Sequence, residues 1–191
     1  MKQWEKIYSQ AIQDLQNFKR PQIKLDKQDF LELHHLWEEN LQFMEESARK
    51  KEEVLFTLEK IFCILDHSQK SSSIFDDLIQ QSFPKLKKPE LIIYLLSVSQ
   101  KHLIQKKFLE GNPIPKDFFG HLKDLLKKYQ DQPEVIEWTL RTIEQLGNQS
   151  IKLREEVLTI KPTWGVLFNN HKKASRQIIE MLEKRWAPFI R

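Results

Sequence analysis

The sequence predicts an all-α chain of helical hairpins stacked side by side. Three observations predict it. Only 4 of the 191 residues are glycine, against about thirteen at ordinary usage. The Gly-bearing turns that a β-rich fold needs at roughly every 8–12 residues are therefore missing. Apolar residues recur at helical spacing along most of the chain, which marks amphipathic helices. One eight-residue pattern returns 44 residues later, and such a period is the mark of a repeat architecture. With 40% hydrophobic residues, 12 Phe and 5 Trp, the chain can build a core, which excludes global disorder.

The elements follow in order. The first helix covers residues 2–18, with Trp4, Ile7, Tyr8, Ala11, Ile12, Leu15 and Phe18 as its apolar stripe, and Arg20-Pro21 stops it. Asp26, with Asp29 three residues on, caps the second helix. Phe30, His34, Trp37, Leu41, Met44 and Ala48 form that helix's inner face. The pairs Glu38-Glu39, Glu45-Glu46 and Glu52-Glu53 recur every seven residues. Too few apolar positions accompany them for a coiled coil, so they read as the solvent face.

A third helix spans residues 52–66, with Val54, Leu55, Leu58, Ile61, Phe62 and Leu65 inward. Residues 68–73 form a polar loop. Ser73 and Asp76 then read as a capping box for a helix carrying Ile74, Phe75, Leu78 and Ile79, which ends at Phe83-Pro84. Pro89 stands in the first turn of the fifth helix, where its missing N–H costs nothing. Leu91, Ile92, Leu95, Leu96 and Leu103 carry that helix to Leu109, and Gly111-Asn112-Pro113 breaks it. Pro115 opens the sixth helix, with Phe118, Phe119, Leu122, Leu125, Leu126 and Tyr129 inward. Pro133 opens the seventh, through Val135, Ile136, Thr139, Leu140, Ile143 and Leu146, and Gly147 caps its end. Ser150 caps a shorter helix to Ile160. Thr163 caps the last, whose inner stripe is Leu167, His171, Ala174, Ile178, Met181 and Leu182 and which Pro188 ends. The expectation is about nine helices and no strand.

The repeat pairs Pro89-Glu90-Leu91-Ile92-Ile93-Tyr94-Leu95-Leu96 with Pro133-Glu134-Val135-Ile136-Glu137-Trp138-Thr139-Leu140. The segment Glu53-Val54-Leu55-Phe56-Thr57-Leu58 falls in the same frame, 37 residues before Glu90. Around the second copy, Phe118-Phe119, Leu122, Leu125-Leu126, Asp131, Pro133-Glu134-Val135, Leu140-Arg141, Ile143 and Leu146 resemble the HEAT/armadillo consensus. The resemblance covers residues 51–160. It implies a right-handed α-α superhelix, a HEAT/armadillo-like solenoid of about nine helices in stacked antiparallel hairpins, because one hairpin cannot bury its apolar faces alone. Trp138 and Tyr94 depart from it, standing where such repeats place smaller residues, and residues 112–116 lengthen one loop. The implied division is an acidic helical pair over 1–50, three hairpins over 51–160 and a capping helix over 161–191, all in one domain.

Catalytic and metal motifs are missing. Cys63 and His67 lie one helical turn apart, but two ligands make no zinc site, and no CxxC, HExxH, GxSxG, Walker or GxGxxG pattern occurs. Cys63, inside an apolar run, reads as an inert buried thiol. His34 and His171, on apolar stripes, read as core or boundary residues. A single cysteine, no signal-like N-terminal segment and no long apolar run lead to the expectation of a cytoplasmic protein away from membranes. Some HEAT-like proteins are DNA glycosylases that hold a nucleotide between tryptophans beside an acidic residue. Trp138, Trp164 and Trp186, with Asp131, Arg141 and Arg154, are what that alternative would use, although the close Trp-Trp-Asp grouping is missing.

Charge supplies the remaining signal. Residues 1–80 carry 11 Lys and Arg against 15 Asp and Glu, a net −4, whereas residues 81–191 carry 20 against 12, a net +8. The candidate contacts are Lys85, Lys87, Lys88, Lys116, Lys123, Lys127, Lys128, Arg154, Lys172, Lys173 and Arg176. The clusters before Pro89 and before Pro133 occupy equivalent repeat positions, which places them on one edge of a solenoid. The expected function is a non-enzymatic scaffold, without cofactor, that holds an acidic protein partner on its curved helical-repeat surface, the inner face of the second helices, and on this basic C-terminal edge. A nucleic-acid-binding protein is the alternative. Self-assembly through the acidic and basic parts is a second.

Overall fold

The structure is a computed structural model that describes residues 3–46, 51–162, 165, 166 and 168–189. It is all-α. The helices are α1 Gln3–Gln16, α2 Lys27–Glu46, α3 Lys51–His67, α4 Asp76–Lys85, α5 Pro89–Ser99, α6 Lys106–Glu110, α7 Lys116–Lys128, α8 Pro133–Gln145, α9 Arg154–Thr159 and α10 Asn170–Trp186. A π turn over Gln100–Gln105 joins α5 and α6 into one rod, so the described residues form nine α-helical rods, with 3-10 turns at Ser73–Phe75, Gly147–Leu153 and Ala187–Phe189. Among the described residues the one β-type pairing is an isolated bridge between Ile23 and Ser68.

The rods pack in two rows. In the first, α1 touches α3, α3 touches α5, α5 touches α8, and α8 touches α10. In the second, α2 touches α4, α4 touches α7, and α7 touches α9. The rows are joined where α2 packs on α3, α4 on α5 and α7 on α8. The three segments that share a sequence frame are therefore α3, α5 and α8, successive neighbours in one row. Their like faces meet like neighbours, which is why one apolar pattern serves three times.

Links from the first row to the second share one edge of the molecule. Ile23 N–H donates to the His67 carbonyl at 3.1 Å, and Gln69 N–H donates to the Ile23 carbonyl at 2.8 Å. Return links share the opposite edge, where Tyr129 Oη donates to the Lys87 carbonyl at 3.2 Å. Between the rows runs a continuous core. Trp37 stacks on Phe75, with centroids 5.7 Å apart, and meets Phe62 edge-on at 4.7 Å. Its indole N–H donates to Ser82 Oγ at 3.0 Å. At the far end Trp186 does the same with Ser150 Oγ at 2.9 Å.

Local expectations hold where the signal is backbone chemistry. Asp29 N–H donates to Asp26 Oδ1 and Asp26 N–H to Asp29 Oδ2, both at 2.9 Å, a reciprocal capping box. Pro89 and Pro133 are first-turn residues. Gly111 and Gly147 take left-handed φ values of 68° and 59° at helix ends, a conformation open to glycine without strain.

Several expectations need correction. Leu15, in the last turn of α1, is 41% exposed; Phe18 is fully exposed because the helix stops at Gln16 and Phe18 takes a left-handed φ of 56° in the turn beyond it. Ser73 caps nothing: a 3-10 turn delays the helix to Asp76, whose carboxylate pairs with Lys107 at 2.5 Å. The α4 helix runs past Pro84 to Lys85. Ser150 donates back to the Gly147 carbonyl at 2.6 Å, inside a 3-10 stretch, rather than capping. The last helix begins at Asn170, with Asn169 Oδ1 accepting from Lys172 N–H at 3.0 Å. Ile179, not the exposed Met181, joins Ile178, Leu182 and Trp186 in its buried face. Ala48, Thr163, Trp164 and Leu167 lie outside the described residues.

Candidate functional site

The return links gather the cations. Lys85 ends α4 and Lys87 and Lys88 lie in the link to α5, while Lys127 and Lys128 end α7. The Tyr129–Lys87 bond fastens the second link to the first, and the Lys128 ammonium lies 5.1 Å from the Tyr129 ring centre. Two grooves meet at Pro84. One, of about 630 Å³, is lined by Lys51, Lys85, Lys87 and Lys88. The other, of about 500 Å³, is lined by Lys127, Lys128, His121 and Tyr129. Among the described residues, Lys87, Lys88 and Lys127 form no ion pair and all three are exposed. Lys51 was not singled out in the sequence; it starts α3, next along the same row.

A third cavity, of about 310 Å³, continues this edge. It is lined by Gln130 of the α7–α8 link, by Pro133, which opens α8, and by Lys161, Lys172 and Ser175. Lys161 is held by Glu183 at 2.6 Å. Lys173, on the same first turns of α10, is exposed.

Four of the expected contacts stand apart from this arrangement. Lys116 and Arg154 are the first residues of α7 and α9, so they sit on the opposite edge. A 13-residue helix such as α7 separates its ends by about 18 Å. Lys123 bonds Glu156 at 2.5 Å, which raises the lysine pKa. Arg176 bonds Glu180 at 2.9 Å within α10. A cation already matched by a carboxylate offers little net charge to a partner.

Of the residues the glycosylase alternative would use, Trp164 lies outside the described residues, and Trp186 and Arg141 are engaged within the fold. Trp186 is fully enclosed and its N–H is bonded to Ser150. Arg141 donates through Nε and Nη2 to Glu137 Oε1 at 2.8 and 2.6 Å, and His171 Nδ1 meets Glu137 Oε2 at 2.7 Å. That cluster ties α8 to α10. Burial pushes the Cys63 thiol up to about 11, which disfavours the thiolate needed for reactivity. Among the described residues, no group of three or more His, Cys, Asp and Glu is placed to hold a metal ion, and no helix is long and apolar enough to cross a membrane. The chain matches no protein-family model, no curated protein and no solved structure.

Proposed function

We propose that this chain is a short HEAT/armadillo-like solenoid that works as a non-enzymatic scaffold, holding an acidic segment of a protein partner along its return-link edge. The observation that supports this reading is the run of exposed lysines at Lys51, Lys87, Lys88, Lys127 and Lys128, lining adjoining grooves. Neighbouring helices in a row stand about 8–10 Å apart, and an extended peptide advances about 3.3 Å per residue. An acidic strand laid across the row thus presents about three residues to each lysine cluster. The grooves carry apolar floors from Met44, Leu55, Phe83 and Leu125, which suits side chains between the carboxylates better than a bare phosphate backbone.

Fluorescence anisotropy with a labelled oligoglutamate peptide tests the reading, beside single-stranded and duplex oligonucleotides of equal charge. The peptide is expected to bind, to weaken as salt rises, and to lose at least tenfold in affinity when Lys87, Lys88 and Lys127 are replaced by Glu. Preference for the oligonucleotides, or a peptide affinity that ignores the triple replacement, overturns it.

A further inference from the structure

Large apolar side chains left in the open gather on the edge formed by the links from the first row to the second, opposite the lysine edge. Phe18 stands in the α1–α2 link, Leu31 near the start of α2, Ile74 in the 3-10 turn before α4, and Phe108 and Leu109 at the end of α6. All five are exposed, Phe18 fully and Leu109 to 79%. Their stretches of chain are neighbours. Ile23 in the first link is bonded to His67 and Gln69 at the start of the second. Leu31 and Ile74 line one cavity of about 330 Å³. Lys107 of α6 pairs at 2.5 Å with Asp76, two residues beyond Ile74. A single exposed apolar side chain is ordinary, but a set along one edge marks a surface that meets a protein or a membrane.

Phe18 is out of place in its turn as well as in its exposure. Its N–H donates to the Leu15 carbonyl at 3.0 Å, and Lys19 N–H donates to the Asp14 carbonyl at 2.8 Å, which closes α1 in a Schellman turn. Phe18 holds the left-handed position of that turn, at φ 56°. Glycine or asparagine normally fills this position, because a bulky side chain is strained there. A fully exposed ring gains nothing from the fold in return.

Cations stand among these side chains. Residues 1–80 carry a net −4, yet residues 19–27 hold Lys19, Arg20, Lys24 and Lys27 against Asp26 as their one carboxylate. Lys70 lines the same cavity as Lys27, Leu31 and Ile74. These five cations are exposed and form no ion pair among the described residues. Asp26 and Asp29 are taken up by the capping box of α2.

We infer that this edge rests on an anionic phospholipid surface. Phe18, Phe108 and Leu109 enter the boundary between headgroups and acyl chains, and the five cations meet the lipid phosphates. Stable attachment to a bilayer surface takes two signals, such as an apolar anchor with a basic patch, and this edge carries both. The anchors stand on separate stretches of chain with cations between them, rather than on one helix face. A protein partner would have to offer a separate pocket to each, whereas a lipid interface receives each anchor singly and sets phosphates between them. The expectation that the chain keeps away from membranes rests on the lack of a spanning segment, and lying on a surface needs none. So docked, the lysine edge points away from the bilayer and stays open to its own partner. The inference does not depend on what that edge binds.

Cosedimentation of the full chain with phosphatidylcholine vesicles, with and without about one third phosphatidylserine, tests it. The mixed vesicles are expected to bind the protein at least tenfold more tightly than phosphatidylcholine alone, and less tightly as salt rises. Phe18→Asn suits the left-handed turn, so it should raise the urea midpoint while cutting vesicle affinity at least threefold. With Leu109→Gln added, the loss should reach tenfold. Lys24→Ala with Lys27→Ala should weaken vesicle binding several-fold more than Lys87→Ala with Lys127→Ala, which removes the same charge from the opposite edge. No binding to the mixed vesicles overturns the inference. So does vesicle affinity unmoved by Phe18→Asn with Leu109→Gln, since charge alone would then explain it. A larger loss from Lys87→Ala with Lys127→Ala assigns lipid contact to the lysine edge and overturns it too. Self-association by light scattering that the two apolar replacements abolish, without vesicle binding, gives the edge to a second copy instead. Acidic-peptide affinity should be the same with and without the two apolar replacements, so failure here leaves the reading of the lysine edge untouched.

Discussion

Tyr129 donates its phenolic hydrogen to the main-chain carbonyl of Lys87, 3.2 Å away, so a side chain of one return link fixes the backbone of the one before it. Tyr129 is itself buried, and its ring carries the Lys128 ammonium at 5.1 Å. The two lysine clusters are thus held in register by one bond. Tyr129→Phe keeps the ring and deletes that bond. The expected cost is about 1 kcal/mol, read as a lower urea midpoint with unchanged slope. Affinity for an acidic peptide should fall a few-fold as well. Lost stability with unaltered peptide affinity would limit Tyr129 to a structural role.

That register also shows what the sequence can and cannot tell. Pro89 and Pro133 are visible because proline has a fixed place in a first turn, and the helices they open prove to be neighbours. Asp26 and Asp29 are visible because a capping box is local. Ser73 and Ser150 mislead, since a serine at a helix start reads the same whether it caps or returns its proton to a carbonyl in a 3-10 turn. Lys116 and Arg154 show what local reading leaves open. Each is near other cations along the chain, yet a helix separates them in space, and only the two-row packing tells which helix ends share an edge.

His102 gives the protein a defined acid response. It lies in the π turn, a helical irregularity common at sites with a special demand on a side chain. Its Nδ1 accepts from Ser72 N–H at 3.1 Å, which leaves Nε2 to donate to the Leu65 carbonyl at 3.1 Å. Phe30 and Phe75 meet the ring edge-on at 6.0 and 5.3 Å. Burial lowers its pKa from 6.5 to about 4. Between those values the unfolded chain binds the proton and the folded chain does not, so stability rises with pH across this window. The contribution is complete above about pH 6.5 and is lost as pH falls towards 4; a shift of this size is worth about 3 kcal/mol. His67 and His121, both lowered chiefly by burial, act in the same direction. Urea unfolding from pH 4 to 7 should show this slope, and His102→Gln should flatten it while lowering stability at pH 7. Equal slopes in the two proteins would remove His102 as the cause.

The attachment of α1 rests on a cation among rings. Lys60 on α3 places its ammonium 4.1 Å from the ring centre of Phe56, 5.6 Å from Tyr8 and 5.9 Å from Trp4. Tyr8 and Trp4 belong to α1, whose main neighbour is α3. The Trp4 indole N–H has no hydrogen-bond partner among the described residues, so the ring face rather than the polar edge holds this helix. A cation over aromatic faces contributes about 0.5–1 kcal/mol at exposed sites and more when desolvated. Lys60→Met retains an apolar stem and removes the charge. Its effect is expected to be local: amide hydrogens of α1 exchange several-fold faster, those of α3 and α5 keep their protection, and global stability drops by about 1 kcal/mol. Lys60→Arg, which restores a cation that stacks on rings, should recover the slow exchange. If Met and Arg behave alike, stem packing rather than charge holds α1 in place.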